Sequence, residues 1–243
     1  MISDNKFIVP SLILSIFFVL GILIIGEAWR NHSRANQTIT VTGSAKRLIT
    51  SDLGTLRGTI IVKSKDLKNG FLEIQKHKQE LIEFFISQGI IDKSIETGPP
   101  SYYPVYEIAP NGVSTSKILH YVWELNFSVT SKDVFLIKKI GIDLPSLIMK
   151  GIEIKNTQTE YYYTQLPKLK IEIQADAAKD AKERARRIAE ATGSSLGNLR
   201  NARMGVIQIT PALSNVIDDY GVNDVTSIQK EITAVVSASF EIK

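Results

Sequence analysis

Ser114 and Lys117 stand at the S-x-x-K spacing of a serine–lysine acyl enzyme, and Gly193-Ser194-Ser195-Leu196-Gly197 fits the G-x-S-x-G pattern of a nucleophile elbow. Neither survives its context. The first needs companion S-D-N and K-T-G elements, and neither occurs. The second needs strand, sharp turn and then helix, whereas here a helical pattern stops at Gly193, a strand pattern follows, and no histidine comes after Ser195. Gly193 reads as a helix stop. Zero cysteines remove thiol catalysis, disulfides and thiolate zinc sites. Of the three histidines, His32 falls in a polar tether, His77 among Gln75, Lys76, Lys78 and Gln79 is expected on a helix surface, and His120 on the polar face of a strand. Asp218, Asp219, Asn223 and Asp224 with Gly221 make an oxygen-rich loop without the alternating ligands of a calcium loop, so turn chemistry is expected. Glu107 with Glu124, or Asp218 with Asp224, would support glycoside hydrolysis only if about 5–10 Å apart. No catalytic, cofactor-binding or metal-binding residue is assigned, and no cofactor is expected.

Tyrosine is the residue type with a pattern. Tyr102, Tyr103, Tyr106, Tyr161, Tyr162 and Tyr163 are six of the chain's 8 tyrosines. On strands such rings suit sheet packing or a protein interface, because the ring buries area while the hydroxyl stays wet. These six form the candidate interface. The net charge of +4 is spread evenly, and the densest basic stretch, Lys179 to Arg187, is interleaved with Asp180 and Glu183. That is a solvated helix face laced with ion pairs, so no nucleic-acid partner is expected.

The elements that must position these residues begin with an apolar stretch. Every residue from Phe7 to Ile25 is Phe, Ile, Leu or Val except Pro10, Ser11, Ser15 and Gly21. As a helix it would be about 28 Å long, against a hydrocarbon core of about 30 Å. Its apolar side chains would favour insertion by about 5–9 kcal/mol. A transmembrane signal anchor is expected at residues 7–25 within 1–30, held by Phe7, Leu14, Phe17, Phe18 and Leu23 with Trp29 as an interfacial collar. A cleaved signal peptide is the competing reading, with a site at Gly26-Glu27-Ala28.

After a tether at 31–37, the chain reads as α+β. Residues 38–130 are expected to form a first subdomain, ββαββ, and 131–243 a second, αβαββ, whose last strand is free to return to the first sheet. Helices are expected over 67–88 and 169–192, with Pro145 splitting a third over 133–150 into two short pieces beginning after a Ser131 cap. A break is expected at Gly43-Ser44, and Pro99, Pro100 and Pro104 confine residues 95–107 to an edge strand or an extended ribbon. Asn111-Gly112 is a hairpin turn.

Several stretches resemble the SIMPL domain (DUF541) family of bacterial exported or membrane-anchored proteins. They are Ile39 to Ala45, Tyr102-Tyr103-Pro104-Val105-Tyr106, Ala177 to Ala185, Leu196 to Leu199 and Ala234 to Ile242. The resemblance implies two α+β subdomains, placement in the periplasm or outside the cytoplasm on a single-pass inner-membrane anchor, and homo-oligomers, including rings. It supplies no catalytic residue; similar proteins are associated with envelope and oxidative-stress physiology. The expectation is a non-enzymatic cell-envelope protein that self-assembles or binds an envelope protein partner. A small-ligand or lipid-binding module is the alternative, and a carboxylate-dependent hydrolase of envelope glycans or peptides a second one.

Overall fold

The computed structural model describes residues 8–35 and 37–243, without the side chains of residues 8–10, 28 and 30–36. α1 (Ile8–Ala35) is followed almost directly by β1 (Thr38–Thr50). There follow β2 (Leu53–Ser64), α2 (Leu67–Ser87), β3 (Ile95–Thr97), β4 (Ser101–Ile108), β5 (Ser114–Ser131) and α3 (Val134–Asp143). A 3-10 turn (Leu144–Lys150) leads to β6 (Glu153–Tyr162), α4 (Leu166–Ala191), β7 (Leu196–Met204), β8 (Gln208–Pro211) and β9 (Gln229–Ile242). The fold is α+β, with two sheets and four helices among the described residues.

Two compact units divide the chain, one of residues 47–169 and 208–232, the other of 1–46, 170–207 and 233–243. This is not the expected division at residue 130. β6 pairs antiparallel with β2, so a strand from the second half completes the first sheet, while β1 leaves β2 and lies beside β9. The hydrophobic pattern of a strand states which face is buried and leaves its neighbour unspecified.

In the first-named unit the order is β3–β5–β2–β6, with β4 also paired to β5. Leu56 and Ile60 of β2 and Leu125 and Val129 of β5 turn to one face, where α2 supplies Ile74, Leu81 and Phe85 and α3 supplies Ile137 and Ile140. Asp66 caps α2 by accepting from the Asn69 amide. α3 is capped by Asp133, which accepts from Phe135 and Leu136, and the expected Ser131 instead accepts from the Asp133 amide. Pro145 ends regular α-helix as expected, the chain continuing as the 3-10 turn up to Gly151 at φ 81°. His77 is buried in the α2 face, not on its surface, and its Nδ1 has no hydrogen-bond partner among the described residues.

The other unit stacks α4 on β1, β9 and β7. No break occurs at Gly43: β1 is continuous, and a Cβ there would collide with the α4 backbone at Ala177 and Ala181. Glycine in this strand marks the closest approach of helix to sheet. Ala177, Ala181, Ala185 and Ala189 are accordingly buried. Ser44 donates its amide to Asp180 at 2.8 Å, which holds that carboxyl below the ordinary range together with Arg184.

Candidate functional site

The residues expected in lipid stand free on α1. Leu14, Phe17, Phe18, Leu23 and Trp29 are 61–76% exposed, and the apolar residues between Leu12 and Ile25 are exposed around the whole helix. Phe7 lies outside the described residues. Among the fully described residues, no helix is long and apolar enough to cross a membrane.

The six tyrosines separate into two groups. Tyr102, Tyr103 and Tyr106 are exposed on β4. Tyr161 is not a surface residue: it is buried in the core, where burial raises its hydroxyl's pKa. Tyr162 is half-buried and donates to Glu160 at 2.6 Å, a bond that raises its pKa. Tyr163 is half-buried where β6 ends. Alternation along β6 accounts for the inward turn of Tyr161, and consecutive tyrosines could never share one face.

Of the β4 tyrosines, Tyr102 and Tyr103 oppose Trp123 and Val122 where β5 is still paired with β2, and only Tyr106 stands on a projecting hairpin. β5 pairs with β2 only as far as Ser64 opposite Tyr121, yet continues back to Ser114 with β4 as its sole neighbour. The resulting two-stranded arm is closed at Gly112 (φ 80°) and pinned by Lys117 to Glu107 at 2.9 Å. Ile108, Val113, Ile118 and Leu119 are all exposed along it, joining Tyr106. Pro104 sits in the strand opposite Tyr121 and, lacking an N–H, interrupts the edge as a template for another strand.

The sheet face away from α2 and α3 is polar. Glu124 accepts from Lys155 at 2.5 Å and from the Tyr103 hydroxyl at 3.3 Å. Arg57 meets Glu160 at 2.8 Å, with Gln158 donating to the other oxygen at 3.0 Å. Each carboxylate is thus engaged. Glu107 and Glu124 do not converge: Glu124 opposes Ser101, and Glu107 lies six residues further along β4, about 20 Å at the rise of an extended strand. Asp218 accepts from the Tyr220 amide, and Asp224 turns inward, so this second carboxylate pair is also spent on the loop itself.

Asp224 and Lys230 form a buried pair that sequence reasoning missed. Their side chains are 6% and 2% exposed, with Nζ 3.7 Å from Oδ2 and also donating to the Asp224 carbonyl. Burial alone would push the Asp224 carboxyl up, but donation from Thr226 and Ser227 and the Lys230 charge outweigh it and hold its pKa low. Burial lowers Lys230, with Asp224 opposing. The pair fixes a loop whose backbone bonds to β6 through Tyr161 N to Val225 O at 2.7 Å. Among the described residues no group of three or more His, Asp or Glu could hold a metal ion. Ser195 is a turn residue, its amide bonded to Lys243 O at 2.7 Å, and Lys117 is committed to Glu107. On α4 the expected ladder of ion pairs is present: Arg186 and Arg187 both bond Glu183, whose pKa is lowered to about 2.

These features define an α+β protein distinguished by an apolar leading helix and a projecting hairpin that exposes Tyr106 and aliphatic side chains. Residues 39–240 match the family model SIMPL, described as a protein of unknown function (DUF541), and the chain belongs to that family. No curated protein matches the chain.

Proposed function

We propose that this chain is a non-enzymatic, membrane-anchored protein of the bacterial cell envelope that self-assembles, or holds an envelope protein partner, through the β4–β5 arm. In this reading α1 is a single-pass inner-membrane anchor and residues 38–243 lie on the periplasmic side. The uncharged run Phe7–Ile25 supports the anchor, since apolar side chains on every face of a helix have no use in water. The observation that carries the contact role is the arm itself. A two-stranded hairpin beyond its sheet adds little to the fold. Its exposed Tyr106, Ile108, Ile118 and Leu119 are the aromatic and aliphatic side chains that dominate contact surfaces. Anchoring many copies in one plane raises their effective concentration and favours weak lateral contacts.

The test is a pair of carboxyl-terminal fusions to the full chain, one to alkaline phosphatase and one to a fluorescent protein that matures only in the cytoplasm. Phosphatase activity without fluorescence, with the protein retained in membranes after carbonate washing, is expected. Fluorescence without phosphatase activity, or release by carbonate, overturns the placement. Light scattering of the detergent-solubilised full chain tests self-assembly separately, and a strictly monomeric mass overturns it.

A further inference from the structure

The outer side of α3 departs from the amphipathic pattern of a helix laid on a sheet, whose exposed side is ordinarily polar. Val134, Ile137 and Ile140 are buried against the sheet. At 3.6 residues per turn, Phe135 and Ile142 fall within about 20° of each other on the opposite side of the helix. They are 63% and 69% exposed. Lys138 and Lys139 flank this ridge, one on each side, and both are exposed. Pro145 then turns the chain into the 3-10 segment, which buries Leu144 and Leu147 and leaves Ile148 60% and Met149 93% exposed beside Lys150. The charge on this surface is one-sided. Lys132, Lys138, Lys139 and Lys150 are exposed and make no ion pair among the described residues. The only acids between Ser131 and Ile152 are Asp133, spent on capping α3, and the half-buried Asp143.

We propose that this side of α3 and the 3-10 segment is a peripheral contact with a phospholipid surface that carries anionic headgroups. It goes beyond the anchor assigned to α1 and does not depend on it. The 10 residues of α3 are about 15 Å long, half the thickness of a hydrocarbon core, so the helix lies in the interface and does not cross it. Its apolar side chains make a convex ridge that sinks to the boundary between headgroups and acyl chains. The flanking lysines lay their apolar stems along the ridge while their ammonium groups reach the phosphates. Four cations without an unspent exposed acid among them match an anionic surface in charge. A protein partner is the poorer fit. Contact surfaces between proteins are depleted in Lys and enriched in Arg, and their strongest contacts sit in pockets. Here every cation is Lys, no arginine occurs between Ser131 and Ile152, and the surface is a ridge. The polar face of the same sheet, with Glu124 and Lys155, is turned away from the lipid in this arrangement.

The chain has no cysteine, so a single thiol carries a label without background. Phe135→Cys and Met149→Cys place an environment-sensitive fluorophore on the ridge and at its end. Glu96→Cys, exposed on β3 on the opposite face of the sheet, is the control. Unchanged thermal unfolding midpoints check that each full-length variant folds. Each is reconstituted with vesicles of phosphatidylcholine alone or with added phosphatidylglycerol. With phosphatidylglycerol, both ridge labels are expected to shift to the blue and to be quenched by lipids spin-labelled just below the headgroup, while the Glu96 label is unchanged. High salt, or Lys138→Gln with Lys139→Gln, reverses the shift; at about fivefold per lysine, the pair lowers the ratio of docked to free helix about 25-fold. An equal shift in phosphatidylcholine alone that survives the lysine replacements overturns the proposal. So does a shift of the Glu96 label as well, which shows unspecific adsorption. A shift seen in native membranes and in neither vesicle shows a protein partner and overturns it too, as do labels that stay in water throughout. A vesicle-dependent shift in a chain that carbonate washing releases keeps this contact and removes the α1 anchor.

Discussion

Lys230 and Asp224 form the most deeply buried ion pair among the described residues, 2% and 6% exposed. Removing one partner strands the other. Lys230→Met retains a stem of similar volume but leaves the Asp224 carboxylate buried without its countercharge, and a loss of about 3–5 kcal/mol is expected, read as a lower urea midpoint. The same pair sets an acid limit. Asp224 is held below its ordinary value of 3.8. Its contribution is therefore complete above about pH 3.8 and lost as pH falls through the lower folded value. Urea midpoints measured from pH 7 down to pH 2 should fall less steeply in Asp224→Asn than in the unaltered chain; an identical slope would remove this carboxylate from the acid response. The pair was not legible in the sequence, since Asp224 looks like one of several loop acids and Lys230 like a strand-edge cation. His77 was legible and was misread. Its immediate neighbours are polar, yet Gly70, Ile74, His77, Leu81 and Phe85 recur at helical spacing and are all buried. Periodicity outweighs local polarity.

At the scale of elements, the arm and the β1–α4 contact behave oppositely. Residues 104–120 form a hairpin that continues past the end of the β2–β5 pairing. Replacing Tyr106 to Leu119 by a two-residue Asn-Gly turn is expected to shift stability by no more than about 1 kcal/mol. It should also abolish oligomers in light scattering. A large fall in the thermal midpoint would instead place the arm in the core. The hairpin turn at Asn111-Gly112, the edge character imposed by the prolines and the split helix at Pro145 were all readable, because each rests on a local backbone constraint. Gly43 was readable only as a break. The same residue type marks a turn when the chain reverses and a close approach when a helix presses on a strand, and only the packed alanines of α4 tell the two apart.

For the whole molecule, element types were far more legible than their partners. α+β class and most helix and strand positions follow from period and caps, whereas the strand order joins β2 to β6 and β1 to β9, pairings that no local pattern encodes. A chain truncated after Ser227 loses β9, the only strand between β1 and β7, together with Lys230. It is expected to lack a cooperative thermal transition in near-ultraviolet circular dichroism; a sharp transition near that of the full chain would show that the sheet closes without it. This adjacency of first and last strands, sealed by Ile242 N to Gln37 O at 3.0 Å, also has a temporal side. During synthesis β1 emerges roughly 190 residues before its neighbour, and at about 5–20 residues per second it waits on the order of 10–40 s with a bare edge. An interrupted translation product therefore keeps that edge open to proteases, and the topology itself distinguishes finished molecules from unfinished ones.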